Sequence, residues 1–255
     1  MRQVVRNAFF DYTSKREGFT PFMYCDTLNL VTTGVGNLID AGSRNGFDIS
    51  DSAMAPAMGL PWRIKGPGWT KNNPVAIGTA NAEQVRGAWI ATKLQAQVDP
   101  GFNTRSSGFA YTNLTQVTLD MEGLKALFNK TLNSFNAKLN ERYPGYENWP
   151  ADAQLAILSM SWAMGPSFNF PDFKRAVDRE DFEAAIPHAF FKGGGDLLGN
   201  PATSRNAAHV IMFRTAAAVV KAGADRDLLF FPGAGNPSPG LARRINPSTG
   251  LLHWH

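Results

Sequence analysis

Helical periodicity dominates the pattern of hydrophobic and polar positions along this chain. Apolar residues recur at helical spacing in four stretches, which predict helices at 81–98, 118–142, 150–164 and 202–222. Asn81 and Gln84 open the first stretch in the spacing of a capping box. We expect shorter helices at 1–16, 171–177 and 180–190.

The predicted helix at 150–164 differs from the others because it has almost no polar face. From Leu155 to Met164 only two serines interrupt the apolar run. A helix that is apolar on every side is buried on every side. We therefore expect this helix at the centre of the core.

Strand-forming residues are concentrated in one place. The runs 22–25 and 30–35 flank Asp26-Thr27-Leu28-Asn29, a turn-like tetrapeptide, and predict a small hairpin or sheet. The expected class is α+β and mostly helical, with a small N-terminal β-hairpin or sheet lobe and a helical lobe. We expect a single domain over 1–255, with a large insertion at about 40–117 and a Pro/Gly-rich C-terminal tail at about 224–255.

Composition and charge set broad limits on the function. Of the 255 residues, 44% are hydrophobic, which excludes a disordered chain. The net charge of +4 favours anionic partners, but the basic residues are scattered, and we expect no nucleic-acid binding. Cys25 is the only cysteine, so an intrachain disulfide and a Cys-rich zinc site are excluded. No apolar run approaches a membrane span, and residues 1–16 lack the pattern of a secretory signal.

The chemically informative stretch runs from Glu17 to Asn37. Glu17, Asp26 and Thr32 are spaced so that a helix end and a hairpin could place two carboxylates and a hydroxyl around one cleft. Two carboxylates that flank a bond are the minimum apparatus for glycoside hydrolysis, one protonated as the acid and one ionised. Taken singly, Glu17 is typical of a solvated helix end, Asp26 of a turn and Thr32 of a strand. Only their joint spacing favours catalysis.

This stretch resembles the catalytic segment of phage-type lysozymes, the endolysin muramidases of glycoside hydrolase family 24. The resemblance rests on Glu17-Gly18, Tyr24, Asp26, Thr32 and Gly34-Val35-Gly36. Further along, the segments 152–165, 181–185 and 205–215 are similar to the central buried helix of that family, a short following helix and a late arginine-bearing helix. The resemblance covers roughly 1–38 and 118–222 and skips the region between them.

The resemblance implies a lysozyme-like fold and an inverting cut in peptidoglycan between N-acetylmuramic acid and N-acetylglucosamine, without metal or cofactor. It implies that Glu17 is the general acid, that Asp26 is the base or electrostatic partner, and that Thr32 positions the water. It also implies substrate contacts from Tyr24, Gly36, Asn37, Leu38, Trp162 and Arg205. Two positions depart from the family, because Asn37 stands where His is common and Ala163 follows Trp162 where Gln is frequent.

Other functions stay open at this stage. A lytic transglycosylase needs one Glu and leaves 1,6-anhydro ends, and a catalytically silent module would bind the cell wall without turnover. We expect synthesis in the cytoplasm without a signal peptide, and action on the wall in the periplasm after delivery by a phage holin or a secretion system. Both a phage endolysin and an antibacterial toxin effector fit, and the insertion and tail leave room for a delivery or immunity partner.

Two further segments have alternative interpretations. The insertion interleaves aromatic and basic residues, which suits either an added substrate wall or partner surface, or a packed unit with its own small core. These residues are Trp62, Arg63, Lys65, Trp69 and Lys71. The terminal His253-Trp254-His255 is either a metal-binding motif or a surface tail.

Overall fold

Eight α-helices and six short strands occur in the residues that the computed structural model describes, which are 1–42, 47–70, 72–99 and 111–231. The expected class, α+β and mostly helical, is confirmed. The chain divides into two compact units. We call Met1–Arg16 with Leu132–His255 the helical unit, and Glu17–Thr131 the hairpin unit. Lys71, His253-Trp254-His255 and the tail beyond residue 231 lie outside the described residues.

The predicted helices occur where the periodicity indicates them, with shifts of a few residues at their ends, and Asp51–Met58 is a further helix that the sequence did not predict. Their bounds are α1 Gln3–Glu17, α2 Asp51–Met58, α3 Ala82–Val98, α4 Met121–Arg142, α5 Ala151–Met164, α6 Pro171–Val177, α7 Phe182–Ala185 and α8 Arg205–Ala222. The helix expected at 180–190 is shorter, because α7 gives way to a 3-10 turn at Ile186–His188. Pro187 lies in that turn, and a proline has no N–H for an α-helical hydrogen bond.

The helical unit has α5 at its centre, as its sequence predicts. Every residue from Ala151 to Ser161 is buried, and α8 packs along this helix. Aromatic rings fill the rest of the core. The ring of Trp149 lies 5.5 Å from that of Phe182, and the ring of Phe213 lies 5.5 Å from that of Phe173. Burial of large aromatic side chains dominates the stability of such a core.

The hairpin unit contains two three-stranded antiparallel sheets. The first has the order β1-β2-β3, and its strands are β1 Thr20–Cys25, β2 Val31–Gly34 and β3 Asn37–Leu38. The second has the order β5-β4-β6, and its strands are β4 Arg63–Lys65, β5 Ala76–Thr79 and β6 Val117–Thr118. The expectation of strands in one place is therefore wrong. The strands of the second sheet are two to four residues long, too short for an alternating pattern to stand out.

The expected insertion shares its core with the first sheet. Trp62 is buried, and its indole N–H donates to the carbonyl of Ala57 at 2.8 Å. Trp62 and Trp89 belong to the same hydrophobic cluster as Phe22 of β1. These contacts favour the interpretation of a packed segment over that of an added substrate wall.

Lys65, another residue of the expected insertion, also makes structural contacts. Its ammonium group donates to the carbonyls of Thr112 and Thr115 at 2.5 and 2.7 Å, and it lies 4.2 Å from the ring centroid of Trp69. Burial lowers the pKa of Lys65 to about 8. Within the described ranges, no helix is long and apolar enough to cross a membrane.

Candidate active site

Glu17 is the last residue of α1, at the point where the chain turns toward β1. Gly18 follows with a φ of +74°, a left-handed conformation that commonly ends a helix. The Glu17 side chain is half-buried and lies against Gly36, where an added Cβ would be 3.7 Å from the carboxyl carbon. Gly36 itself has a φ of +69°. The glycine therefore allows the left-handed conformation of the tight β2–β3 turn, and the Glu17 carboxyl group lies at van der Waals distance from this turn.

A row of three side chains crosses the first sheet. Tyr24 on β1 is paired with Thr32 on β2, and Thr32 is paired with Leu38 on β3. Residues directly opposite each other in an antiparallel sheet project from the same face. Tyr24, Thr32 and Leu38 therefore share one face of the sheet. Thr32 is buried within this row, whereas 51% of Leu38 is exposed.

Tyr24 is affected electrostatically by both candidate carboxylates. Burial raises the pKa of the Tyr24 phenol, and the negative charges of Glu17 and Asp26 raise it further. A charge has this effect only at short range inside a protein. Glu17 and Asp26 therefore both lie within electrostatic reach of one phenol, although they come from a helix end and a hairpin turn.

Asp26 begins the turn between β1 and β2. Its Oδ1 atom accepts hydrogen bonds from the backbone N–H groups of Leu28 and Leu30, at 2.8 and 3.0 Å. Asn29 takes a left-handed φ of +59° in the same turn. The expectation of a turn-forming Asp26 is thus confirmed. The carboxylate is also half-exposed, and its hydrogen bonds within the described chain all use Oδ1.

Thr32 is linked to this turn through Leu30. Its hydroxyl donates to the carbonyl of Leu30 at 3.3 Å, and the N–H of Leu30 donates to Asp26. A hydroxyl that donates one hydrogen bond keeps its lone pairs as acceptors. Thr32 can therefore accept a further hydrogen bond while it stays fixed to the turn.

Asn37 has a structural role that its sequence position did not reveal. Its side chain is buried, with Oδ1 accepting from the N–H of Val35 at 3.1 Å and Nδ2 donating to the hydroxyl of Thr131 at 3.0 Å. A Cβ on Gly34 would lie only 2.8 Å from the same Oδ1. Asn37 therefore orders the Gly34-Val35-Gly36 turn, and its amide faces inward instead of presenting a free group to substrate.

The two remaining substrate-contact candidates belong to the helical unit. Trp162 is half-buried on α5 and packs edge-on against Phe9 and Phe135, with ring centroids 5.4 and 5.5 Å away. Arg205 begins α8, where its positive charge acts on Tyr12 and His209. The geometry of the hairpin unit thus brings together Glu17, Tyr24, Asp26, Thr32, Gly36 and Leu38, and does not include Trp162 or Arg205.

A buried ion pair beside the hairpin was missed at the sequence level. Lys93 on α3 and Asp40 after β3 form it, with Nζ 2.8 Å from Oδ2 and both side chains at most 2% exposed. One sequence signal was present, because Lys93 lies on the helix face that also carries Trp89 and Ala96. A lysine on a buried helix face requires a partner.

The described residues contain no group of three or more His, Cys, Asp or Glu side chains able to hold a metal ion. Cys25 is buried, and burial raises the pKa of its thiol to about 12. The thiol is therefore protonated at neutral pH and unreactive.

No protein-family model matches this chain, and no curated protein sequence matches it.

Proposed function

We propose that this chain is a peptidoglycan hydrolase with a lysozyme-like fold, which cleaves the β-1,4 bond between N-acetylmuramic acid and N-acetylglucosamine. The observation that carries the proposal is the placement of the candidate groups at one sheet, where the Glu17 carboxyl group lies against Gly36 at the β2–β3 turn and Asp26 begins the turn between the paired Tyr24 and Thr32. Glu17 and Asp26 supply two carboxylates beside the first sheet, and Thr32 supplies a hydroxyl on its middle strand. Acid–base glycoside hydrolysis needs such a pair of carboxylates. The net charge of +4 suits an anionic cell wall.

In the proposed reaction, Glu17 donates its proton to the glycosidic oxygen as the bond to the sugar carbon breaks. A water molecule adds to that carbon, and its proton passes to Asp26. Thr32 accepts a hydrogen bond from the water and orients it, because its own proton is held by the carbonyl of Leu30. We propose inversion at the sugar carbon, with Tyr24 and Leu38 forming part of the sheet face that contacts the glycan.

The biological setting that we propose is lysis of a bacterial wall from the periplasm. Delivery through a phage holin would make the chain an endolysin, and delivery by a secretion system would make it an antibacterial effector with an immunity partner. Trp162 and Arg205 remain proposed substrate contacts of the helical unit, where Trp162 is half-buried.

A lytic transglycosylase is the second candidate, and one observation favours it. Asp26 Oδ1 is already used by two backbone N–H groups of the turn. A transglycosylase needs only the Glu, because the 6-hydroxyl of the sugar replaces water and the product carries a 1,6-anhydro end.

Mass spectrometry of the muropeptides released from purified peptidoglycan tests the proposal. We expect products with a free reducing N-acetylmuramic acid, each heavier by one water than the anhydro form. We expect Asp26→Asn to lower the rate about 10²-fold or more, the usual contribution of a general base. Anhydro products from the parent, made at an undiminished rate by Asp26→Asn, would establish the transglycosylase instead. A folded parent that releases neither product would contradict both.

A further inference from the structure

The Asp40–Lys93 pair is fully enclosed in the hairpin unit. Lys93 Nζ donates to Asp40 Oδ2 at 2.8 Å, and the two side chains are 2% and 0% exposed. Taking two charges out of water is expensive, and apolar residues of similar size often stabilise a protein as well. Stability alone therefore does not account for this buried ion pair.

Both members of the pair hold backbone groups of the Asp26 turn. Lys93 Nζ also donates to the carbonyl of Asn29 at 3.0 Å. Asp40 Oδ2 accepts from the N–H of Val31 at 3.1 Å, and its Oδ1 accepts from the N–H of Gly42 at 2.7 Å. The pair thus contacts the chain immediately before and immediately after Leu30.

Leu30 itself is held by Asp26. The N–H of Leu30 donates to Asp26 Oδ1 at 3.0 Å, and its carbonyl accepts from the N–H of Asp26 at 2.9 Å. The N–H of Asn29 donates to the Asp26 carbonyl at 3.0 Å. Asp26 thus closes the turn through hydrogen bonds to residues of the turn itself. Lys93 and Asp40, which are buried, bind the backbone of Asn29 and Val31.

We propose that the buried Asp40–Lys93 pair is a positioning device for the Asp26 carboxylate, so that Asp40 and Lys93 are positioning residues of the proposed reaction. This inference rests on the proposed function. Lys93 lies on α3, in the segment expected as an insertion. The insertion therefore contributes to the proposed chemistry from behind the hairpin, by fixing the turn.

The test uses a double variant that leaves no unpaired buried charge. Asp40→Asn with Lys93→Met removes both charges, and the Asn oxygen can still accept from Val31, whereas the Asn29 carbonyl loses its donor. Lys93→Arg is the conservative rescue, because it keeps a charged donor. The matched control is Asp51→Asn with Arg86→Met, which removes an exposed ion pair between α2 and α3.

Two measurements are made on the full chain with purified peptidoglycan. We expect the double variant to lose about 10- to 100-fold in kcat with KM changed less than about 2-fold, because small misplacements of a reacting group have effects of this size. We expect amide hydrogen exchange at Leu28 and Leu30 to accelerate by about 10-fold or more, since these N–H groups bind Asp26. Lys93→Arg should restore most of kcat, and the control pair should change neither quantity.

A cooperatively folded double variant that keeps the parent kcat, or that keeps the parent exchange at Leu28 and Leu30, would overturn the proposal. If the double variant does not fold, Asp40→Asn with Lys93→Gln, which also removes both charges but keeps a polar side chain at position 93, is measured in the same way and judged by the same outcomes. If the parent itself releases no product, the proposed function fails, and the exchange data still decide whether the pair holds the turn.

Discussion

The two units bury polar groups in different ways. In the helical unit, Ser159 lies between the Tyr12 hydroxyl at 3.2 Å and His209 Nε2 at 3.0 Å, and all three side chains are at most 2% exposed. In the hairpin unit, Glu17 and Asp26 are partly exposed, and the buried Asp40–Lys93 pair holds the turn that Asp26 begins. A closed network can only support the fold, because no substrate reaches it. Groups at the surface with buried support can do chemistry.

In the helical unit, residues of types common in active sites are enclosed in the core. Tyr12, Ser159 and His209 are of types that serve in active sites, yet burial lowers the pKa of His209 to about 3 and keeps it neutral. In the hairpin unit, Glu17, Tyr24 and Asp26 are partly exposed, whereas Thr32 is buried.

The largest effect expected in the helical unit is loss of core packing. Phe213 is fully buried, and its ring lies 5.5 and 6.4 Å from those of Phe173 and Phe182. Phe213→Ala should lower the free energy of unfolding by about 3–5 kcal/mol, measured by denaturant titration. Phe190→Ala, at a side chain that is 46% exposed, is the control and should change it by less than about 1 kcal/mol. Equal effects would contradict the packing described for α8.

A smaller effect should appear as a pH dependence of stability. Asp152 is fully buried, its Oδ2 accepts from the N–H of Phe230 at 3.0 Å, and burial raises its pKa to about 7 from 3.8. The folded state therefore binds the proton more tightly. The resulting stability is complete below about pH 4 and is lost as the pH rises through 7. His209 acts in the opposite direction, since its pKa is lowered from 6.5 to about 3.

Asp152→Asn removes the first of these two contributions while keeping an oxygen for Phe230. The free energy of unfolding of this variant, relative to the parent, should rise between pH 4 and pH 7 by an amount on the order of a few kcal/mol. Urea titrations at pH 4, 5.5 and 7 measure it. Parallel curves for variant and parent would show that Asp152 titrates normally.

The smallest expected effects distinguish two glycines of the hairpin unit. Gly34 has a φ of +65°, and a Cβ there would lie 2.8 Å from Asn37 Oδ1, whereas Gly87 on α3 has nothing within 4 Å. Gly34→Ala should destabilise the chain by about 1–2 kcal/mol through backbone strain and displacement of Asn37. Gly87→Ala should stabilise it by about 0.5–1 kcal/mol. Thermal melting measures both, and the same sign for both variants would be inconsistent with the described β2–β3 turn.

Local signals in the sequence were sufficient for every helix except α2 and for the first hairpin. The capping box at Asn81 and Gln84 is present, and the turn at Asp26 lies between the two strands that its sequence predicts. These features depend on residues a few positions apart. The second sheet was not predictable in this way, because β4 pairs with β6 from a distant part of the chain.

The residues that hold the candidate site in place were equally difficult to predict from the sequence. Asp40 and Lys93 are 53 positions apart, and lysine is a residue type that is rarely buried. The roles of Asn37 and Gly36 depend on side chains that approach only after folding. The sequence thus pointed to the candidate site residues, and only the tertiary contacts reveal what holds them.

The most direct test of the account is the release of reducing ends from purified peptidoglycan by Glu17→Gln. Glu122→Gln, at an exposed glutamate in the first turn of α4, is the matched control. The account predicts that Glu17→Gln loses about 10²- to 10⁴-fold in rate, as expected when a general acid is removed, with its melting temperature retained. A folded Glu17→Gln variant that releases reducing ends as fast as Glu122→Gln and the parent would contradict it.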